Sequence, residues 1–197
     1  MDNITLIFAS NNQHKVEEIK RVIGNRFSIL TLREAGIDID IPEPYDTLEE
    51  NASAKSGTIH QLTGQNCFSE DTGLLVDALE GAPGVKSARY AGDTKSFQAN
   101  IDKLLKNLAG KENRKAAFKT VISLILDNRE YLFEGLCEGI ITATQKGQEG
   151  FGYDPVFIPD GSTKTFAEMS MEEKNLYSHR RKATDQLIAF LQEKNAN

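Results

Sequence analysis

No stretch of this sequence approaches the roughly 20 consecutive apolar residues that a membrane-spanning helix requires, so no membrane association is expected. Cysteine is scarce. The two present, Cys67 and Cys137, sit inside strand-like apolar runs, which favours reduced core thiols over a disulfide framework. Basic residues do not predominate: 23 Lys and Arg face 29 Asp and Glu, for a net charge of −6. That argues against a nucleic-acid-binding surface, whose usual footprint is a basic patch. It does not argue against a small anion, because a pocket sets its own local charge. The phosphate-binding pattern GxxxxGK[ST] is missing, and neither HExxH nor a CxxC pair suggests zinc. There is no internal repeat, low-complexity tract or long linker. The N-terminal MDNITLIFASNN opens with an acid and holds only a short apolar run, unlike a secretory signal, so the cytosol is the expected compartment.

What is present suits one domain spanning residues 1–197. An apolar fraction of 39% and a charged fraction of 26% are those of a soluble globular chain. Ile4–Ala9 reads as a buried strand, and Asn12 can cap a helix that Gly24 ends. Phe27–Leu32 reads as a second strand and Ile37–Asp46, with two prolines, as an extended loop. A helix is expected from about Thr47 to Leu62, and a third strand at Asn66–Ser69. Ser96–Leu108 is amphipathic, with Phe97, Ile101, Leu104, Leu105 and Leu108 on one face. Ala116–Asp127 and Glu130–Thr144 read as long strands around a tight turn at Asp127-Asn128. A glycine-rich region with a short strand at Pro155–Ile158 follows, and Ser178 can cap a last helix with Ala183, Leu187, Phe190 and Leu191 inward. Early alternation of strand and helix, then a long hairpin, predicts an α/β fold with a mixed sheet.

Several segments break the rules of a merely stable fold. In SNNQHK, His14 and Lys15 enter the first turn of a helix, an end that already carries partial positive charge. A phosphate held by the free N–H groups there would explain Lys15; so would a solvated lysine. In SHRRKA, His179, Arg180 and Arg181 crowd another helix start, with Lys174 upstream; an anion site and a basic surface cluster both fit. Lys55 falls on the inward stripe of its helix, where it can snorkel to the edge of the core or neutralise charge in a polar cleft. The acids Glu70 and Asp71 are neighbours on a strand and should face opposite ways unless the chain turns. Asp71 lies at a strand's carboxyl end, where ligands gather in open α/β sheets. It can cap a turn, or beside a phosphate it can hold Mg2+, with Glu43 a second candidate. In EGFGYDPVF, Gly150 and Gly152 allow close backbone approach, while Phe151 and Tyr153 offer flat faces to a ring or tuck under the core. Together these are the parts for a nucleoside triphosphate.

The ordered blocks FASNNQHKVEEIK, TLEENASAK, SEDTGLLVDALEGAPGVKSARYAG, GFGYDPVF, KTFAEMSMEEKN and SHRRKA span nearly the whole chain. In them the sequence resembles the HAM1-like inosine/xanthosine triphosphate pyrophosphatases. It departs from the family's usual TGNxxK with SNNQHK, from DDSGL with EDTGL, and from GAPGVYSARY by Lys86. The resemblance implies an elongated mixed β-sheet flanked by helices, in two lobes around a central cleft, and a homodimer. It implies Mg2+-dependent hydrolysis of ITP, dITP and XTP to the monophosphate and pyrophosphate, cleansing the nucleotide pool. A pyrophosphatase for modified pyrimidine triphosphates and a non-catalytic nucleotide-binding protein are the alternatives. The family pattern places Ser10, Asn11, Asn12, Gln13, His14 and Lys15 around the triphosphate; in the reaction so implied, Lys15 and Lys55 would offset charge on the leaving pyrophosphate. It makes Asp71 the water-activating base and a metal ligand, Glu43 the second metal carboxylate, and Thr72 a substrate contact. Phe151, Gly152, Tyr153, Asp154, Lys174, His179 and Arg180 match its substrate pocket.

Overall fold

A computed structural model describes residues 4–196; residues 1–3, which open MDNITLIFASNN, and residue 197 lie outside the described residues. The elements run β1 (Thr5–Phe8), α1 (Gln13–Ile23), β2 (Ser28–Thr31), α2 (Leu48–Thr63), β3 (Cys67–Val76), β4 (Pro83–Gly84), α3 (Phe97–Asn107), β5 (Lys115–Leu126), β6 (Arg129–Ile141), β7 (Phe157–Pro159), α4 (Met171–Asn175) and α5 (His179–Ala196). The strand order is β2-β1-β3-β5-β6-β7, with β4 paired to β3. β1 runs parallel to β2 and β3, while β7 is antiparallel to β6. The sheet is therefore mixed, as expected.

Local chemistry sets most boundaries. Asn12, Thr47 and Ser96 cap α1, α2 and α3, each accepting a backbone N–H of the first turn through its side chain. Gly64 ends α2 in the left-handed conformation. β5 and β6 are joined at Asp127 and Asn128, both with positive φ (51° and 62°), as a two-residue hairpin turn demands. Two readings change. The third strand does not stop at Ser69 but runs through both acids to Val76. The strand expected at Pro155–Ile158 opens instead as a 3₁₀ turn over Asp154–Val156, and β7 follows it.

The chain divides into two compact units. The first comprises the residues up to Asp71, Thr120–Gly135, and those from Arg180 onward. Period-two alternation sorts its strand residues between two cores. Leu6, Phe8, Phe68, Ile122, Leu124 and Leu126 meet Val16 and Ile19 of α1 and Ala183 and Leu187 of α5. Ile7, Ala9, Cys67 and Ile125 meet Ile59 of α2. The second unit, Thr72–Lys119 with Leu136–His179, has its own core of Leu74, Val76, Ile101, Leu104, Phe118, Val156, Phe157 and Phe166. Cys67 and Cys137 are both buried and outside any disulfide, and burial pushes the Cys67 thiol up to about 12. Among the described residues no helix is long and apolar enough to cross a membrane.

Candidate active site

β3 answers the question raised by adjacent carboxylates. Cys67, Ser69 and Asp71 all address α2. Cys67 Sγ donates to the Ser56 carbonyl at 3.2 Å, and Ser69 Oγ donates to that of Ala52 at 2.5 Å. Asp71 Oδ1 accepts from Lys55 Nζ at 3.0 Å. Its even-numbered residues address the other face, where Phe68 packs against α1 and α5 and Glu70 meets their cations. No turn separates the two acids; the pleat does.

Toward α2, Lys55 Nζ holds Glu43 Oε1 at 2.5 Å as well as Asp71. Lys55 thus does not snorkel outward: it is 6% exposed and bridges two carboxylates. Burial alone would pull its pKa down, but Asp71 and Glu43 outweigh this, and Lys55 is held more firmly protonated than an ordinary lysine. Asp71 moves upward, because burial disfavours its charge by more than Lys55 and Lys15 favour it, and Glu43 adds repulsion. A carboxylate made more basic in this way is a better proton acceptor near neutral pH.

On the opposite face Lys15 Nζ lies 3.0 Å from Glu70 Oε1. Arg180 grips the same carboxylate with both prongs, Nε to Oε2 at 2.5 Å and Nη2 to Oε1 at 3.0 Å, while its Nη1 donates to Glu18. Burial would work against the guanidinium's charge; Glu70 and Glu18 more than compensate, and its pKa is raised. Arg180 is therefore fully committed to protein carboxylates in this structure.

The rest of the first turn is divided. Ser10 Oγ accepts the Asn12 N–H, and Asn12 itself caps α1. Asn11 donates to the Ile39 carbonyl, tying the turn to the loop that leads to Glu43. Gln13 reaches Glu17, and both Gln13 and His14 are exposed. Of this turn, Lys15 joins the buried carboxylates, through Glu70. Among the described residues no group of three or more His, Cys, Asp or Glu converges as a metal site.

The second unit gathers the remaining residues. Asp154 Oδ2 accepts from Lys174 Nζ at 2.8 Å and from the Phe151 N–H at 2.9 Å. The Lys174 ammonium lies 5.4 Å from the centroids of both Phe151 and Phe166. His179 stacks on Phe118, centroids 4.7 Å apart and 12° from parallel. Tyr153 is buried and donates its hydroxyl to the Ser87 carbonyl at 2.8 Å, so it anchors the loop and offers no open face. Thr72, partly exposed, follows in β3. Lys174 rides on α4, a helix started by the reciprocal cap of Ser170 and Glu173.

Gly150 shows how closely this loop is fitted. It has a φ of +75°, and a Cβ there would lie 2.0 Å from Asp154 Oδ2. Gly150→Ala is expected to displace the carboxylate from Lys174 and destabilise the protein by about 2–3 kcal/mol in urea denaturation. Gly152 has a φ of +63° but open space around its Cβ, so Gly152→Ala should cost only the backbone part, about 1–2 kcal/mol.

Sequence reasoning missed Glu18, one helical turn from Lys15 and so on the same side of α1, and the task of Glu70. The spacing of Lys15 and Glu18 was the available signal.

The residues that carry the resemblance thus form three charged groupings, around Lys55, Arg180 and Lys174. A family model for the Ham1 family matches residues 6–190. The chain belongs to the Ham1 family. Ham1 relatives include a dITP/XTP pyrophosphatase of Flavobacterium johnsoniae, 50% identical over 186 residues that cover 94% of this chain and 97% of the relative. Another, from Porphyromonas gingivalis, is 51% identical over 187 residues, covering 94% and 96%. Among solved structures, the Staphylococcus aureus Ham1 protein superposes with a TM-score of 0.88 at 40% identity, covering 96% of this chain and 99% of that one. The nucleoside-triphosphatase / dITP/XTP pyrophosphatase of Mycobacterium abscessus does so with 0.77 at 37% identity, covering 93% and 98%.

Proposed function

We propose that this Ham1 protein hydrolyses ITP, dITP and XTP to the monophosphate and pyrophosphate, and so removes deaminated purine nucleotides from the pool. The observation that carries the mechanism is the ammonium of Lys55 shared by Glu43 and Asp71. Such an arrangement has little value for stability, since buried ion pairs rarely repay their desolvation. It has clear value for phosphoryl transfer, where positioning and charge neutralisation do most of the work.

Asp71 orients the attacking water and accepts its proton as the oxygen adds to the α-phosphorus. Lys15 and Lys55 offset the charge that accumulates on the departing pyrophosphate. Glu43 and Asp71 are the residues that would hold Mg2+: their donors are hard oxygens, and Mg2+ binds through one or two carboxylates together with substrate phosphate and water. When bound, the ion supplies charge neutralisation on the phosphates and acidifies water.

Phe151 offers its ring to the purine, and Lys174, beside that ring, donates to a 6-keto oxygen. Adenine presents an amino group there, and two opposed donors leave each other unsatisfied; mismatches of this kind can discriminate by ~10⁴ or more. The resemblance extends the proposal to a cytosolic homodimer.

The test is pyrophosphate release across dITP, XTP, dATP, dGTP, dTTP and dUTP, with and without Mg2+. dITP and XTP should exceed dATP, dTTP and dUTP by at least about 10²-fold in kcat/KM, and EDTA should abolish turnover. Preference for dTTP or dUTP would make the protein a pyrimidine house-cleaning enzyme. Tight dITP binding with no pyrophosphate release would make it a nucleotide-binding protein.

A further inference from the structure

Helix α3 carries no residue so far given a part in the reaction. Phe97, read as the first member of its inward stripe, is not in the core: it is 41% exposed, whereas Ile101 and Leu104 of the same helix are 2% and 0% exposed. A large apolar side chain left in water at the start of a helix calls for a reason. Its ring centroid lies 6.1 Å from that of Phe151, with the planes tilted by 47°.

Phe151 needs such a neighbour. Its backbone N–H is pinned by Asp154, between Gly150 and Gly152, which are both at positive φ. The ring itself meets the Lys174 ammonium on α4 and the Phe97 ring on α3. The placement of Phe97 is itself fixed. Three residues on, the buried Asn100 accepts from the Ala91 N–H at 2.7 Å and donates to the carbonyls of Ala88 at 3.1 Å and Ser87 at 3.4 Å. The Ser87 carbonyl is the one that also takes the Tyr153 hydroxyl, at 2.8 Å. The circuit from Phe97 through Asn100, Ser87 and Tyr153 therefore closes on the loop that bears Phe151.

We infer that Phe97 is a positioning residue for purine binding, holding the Phe151 ring at the attitude in which it stacks on the base, with Asn100 fixing α3 for that purpose. This rests on the reading of Phe151 as the purine platform. Steady-state kinetics with dITP, inhibition by pyrophosphate as a probe of phosphate binding alone, and thermal melting test it together. Phe97→Ala should raise KM for dITP about three- to tenfold, the range of one aromatic contact, with kcat within about twofold. The inhibition constant of pyrophosphate should stay unchanged, and the melting temperature should fall by no more than about 2 °C. Phe97→Tyr, which keeps the ring, should recover most of the KM. An unchanged KM in Phe97→Ala, with wild type active on dITP, overturns the role of Phe97 alone. So does a rise in KM matched by weaker pyrophosphate inhibition or by a collapse in melting temperature. Wild type inactive on dITP overturns the purine reading, and this inference with it.

Discussion

Asp71→Asn should lose at least ~10²-fold in turnover of dITP, the low end for removing a general base, while binding the nucleotide almost as well as wild type. The substitution keeps the size of the side chain and leaves Glu43 to pair with Lys55. The ammonium therefore stays in place and the fold is not asked to bury a new unpaired cation. What disappears is the basic carboxylate oxygen, which burial has made a better proton acceptor than an ordinary aspartate. Single-turnover rates together with equilibrium dITP binding separate the two effects. Turnover within a few-fold of wild type would take Asp71 out of its assigned role. A parallel loss of binding would recast it as a substrate ligand.

The largest effect on stability is expected at Arg180. The side chain is 2% exposed and pairs with two carboxylates, Glu70 and Glu18, which are 1% and 7% exposed. Arg180→Met fills much of the same volume but takes the guanidinium away from both acids, while Lys15 stays on Glu70. Removing one partner of a buried ionic group costs about 3–5 kcal/mol, because the remaining charge is uncompensated. Urea unfolding should show this as a fall in midpoint at constant m-value. Adding Glu70→Gln and Glu18→Gln to Arg180→Met should restore a large part of the loss, since neutral amides tolerate burial better than lone carboxylates. If Arg180→Met is as stable as wild type, the ionic cluster is not what holds this helix start. If the triple variant is worse than the single, the penalty has another source.

How much of this was legible beforehand depended on sequence distance. Caps and turns were readable because their partners lie within a few residues: Asn12 with Lys15, Thr47 with Glu50, Ser96 with Ala99, and the Asp127-Asn128 turn. The reciprocal cap at Ser170 and Glu173 is equally local and shows in the sequence as S-x-x-E, but it starts a helix of only 5 residues. The sequence pattern ends the third strand at Ser69, whereas β3 continues through both acids. What keeps Glu70 inside is Arg180, 110 residues away, and what keeps Asp71 inside is Lys55, 16 residues away. No local pattern can reveal such partners. Phe97 was misplaced for the opposite reason. Its spacing matched the buried stripe of α3, but a first-turn residue projects beyond the core that the later turns cover. The direction of Lys55, left open by its periodicity, was decided only by the two carboxylates it meets.

Where the water attacks is the most direct question for the mechanism, and hydrolysis of dITP in oxygen-18-enriched water answers it. Attack at the α-phosphorus, with proton transfer to Asp71, places a single heavy oxygen in the dIMP and none in the pyrophosphate, as read by mass spectrometry of the products. Label recovered in pyrophosphate, or release of dIDP and inorganic phosphate in place of dIMP, would mean that a different phosphorus is attacked and that the assigned roles of Asp71, Lys15 and Lys55 are wrong.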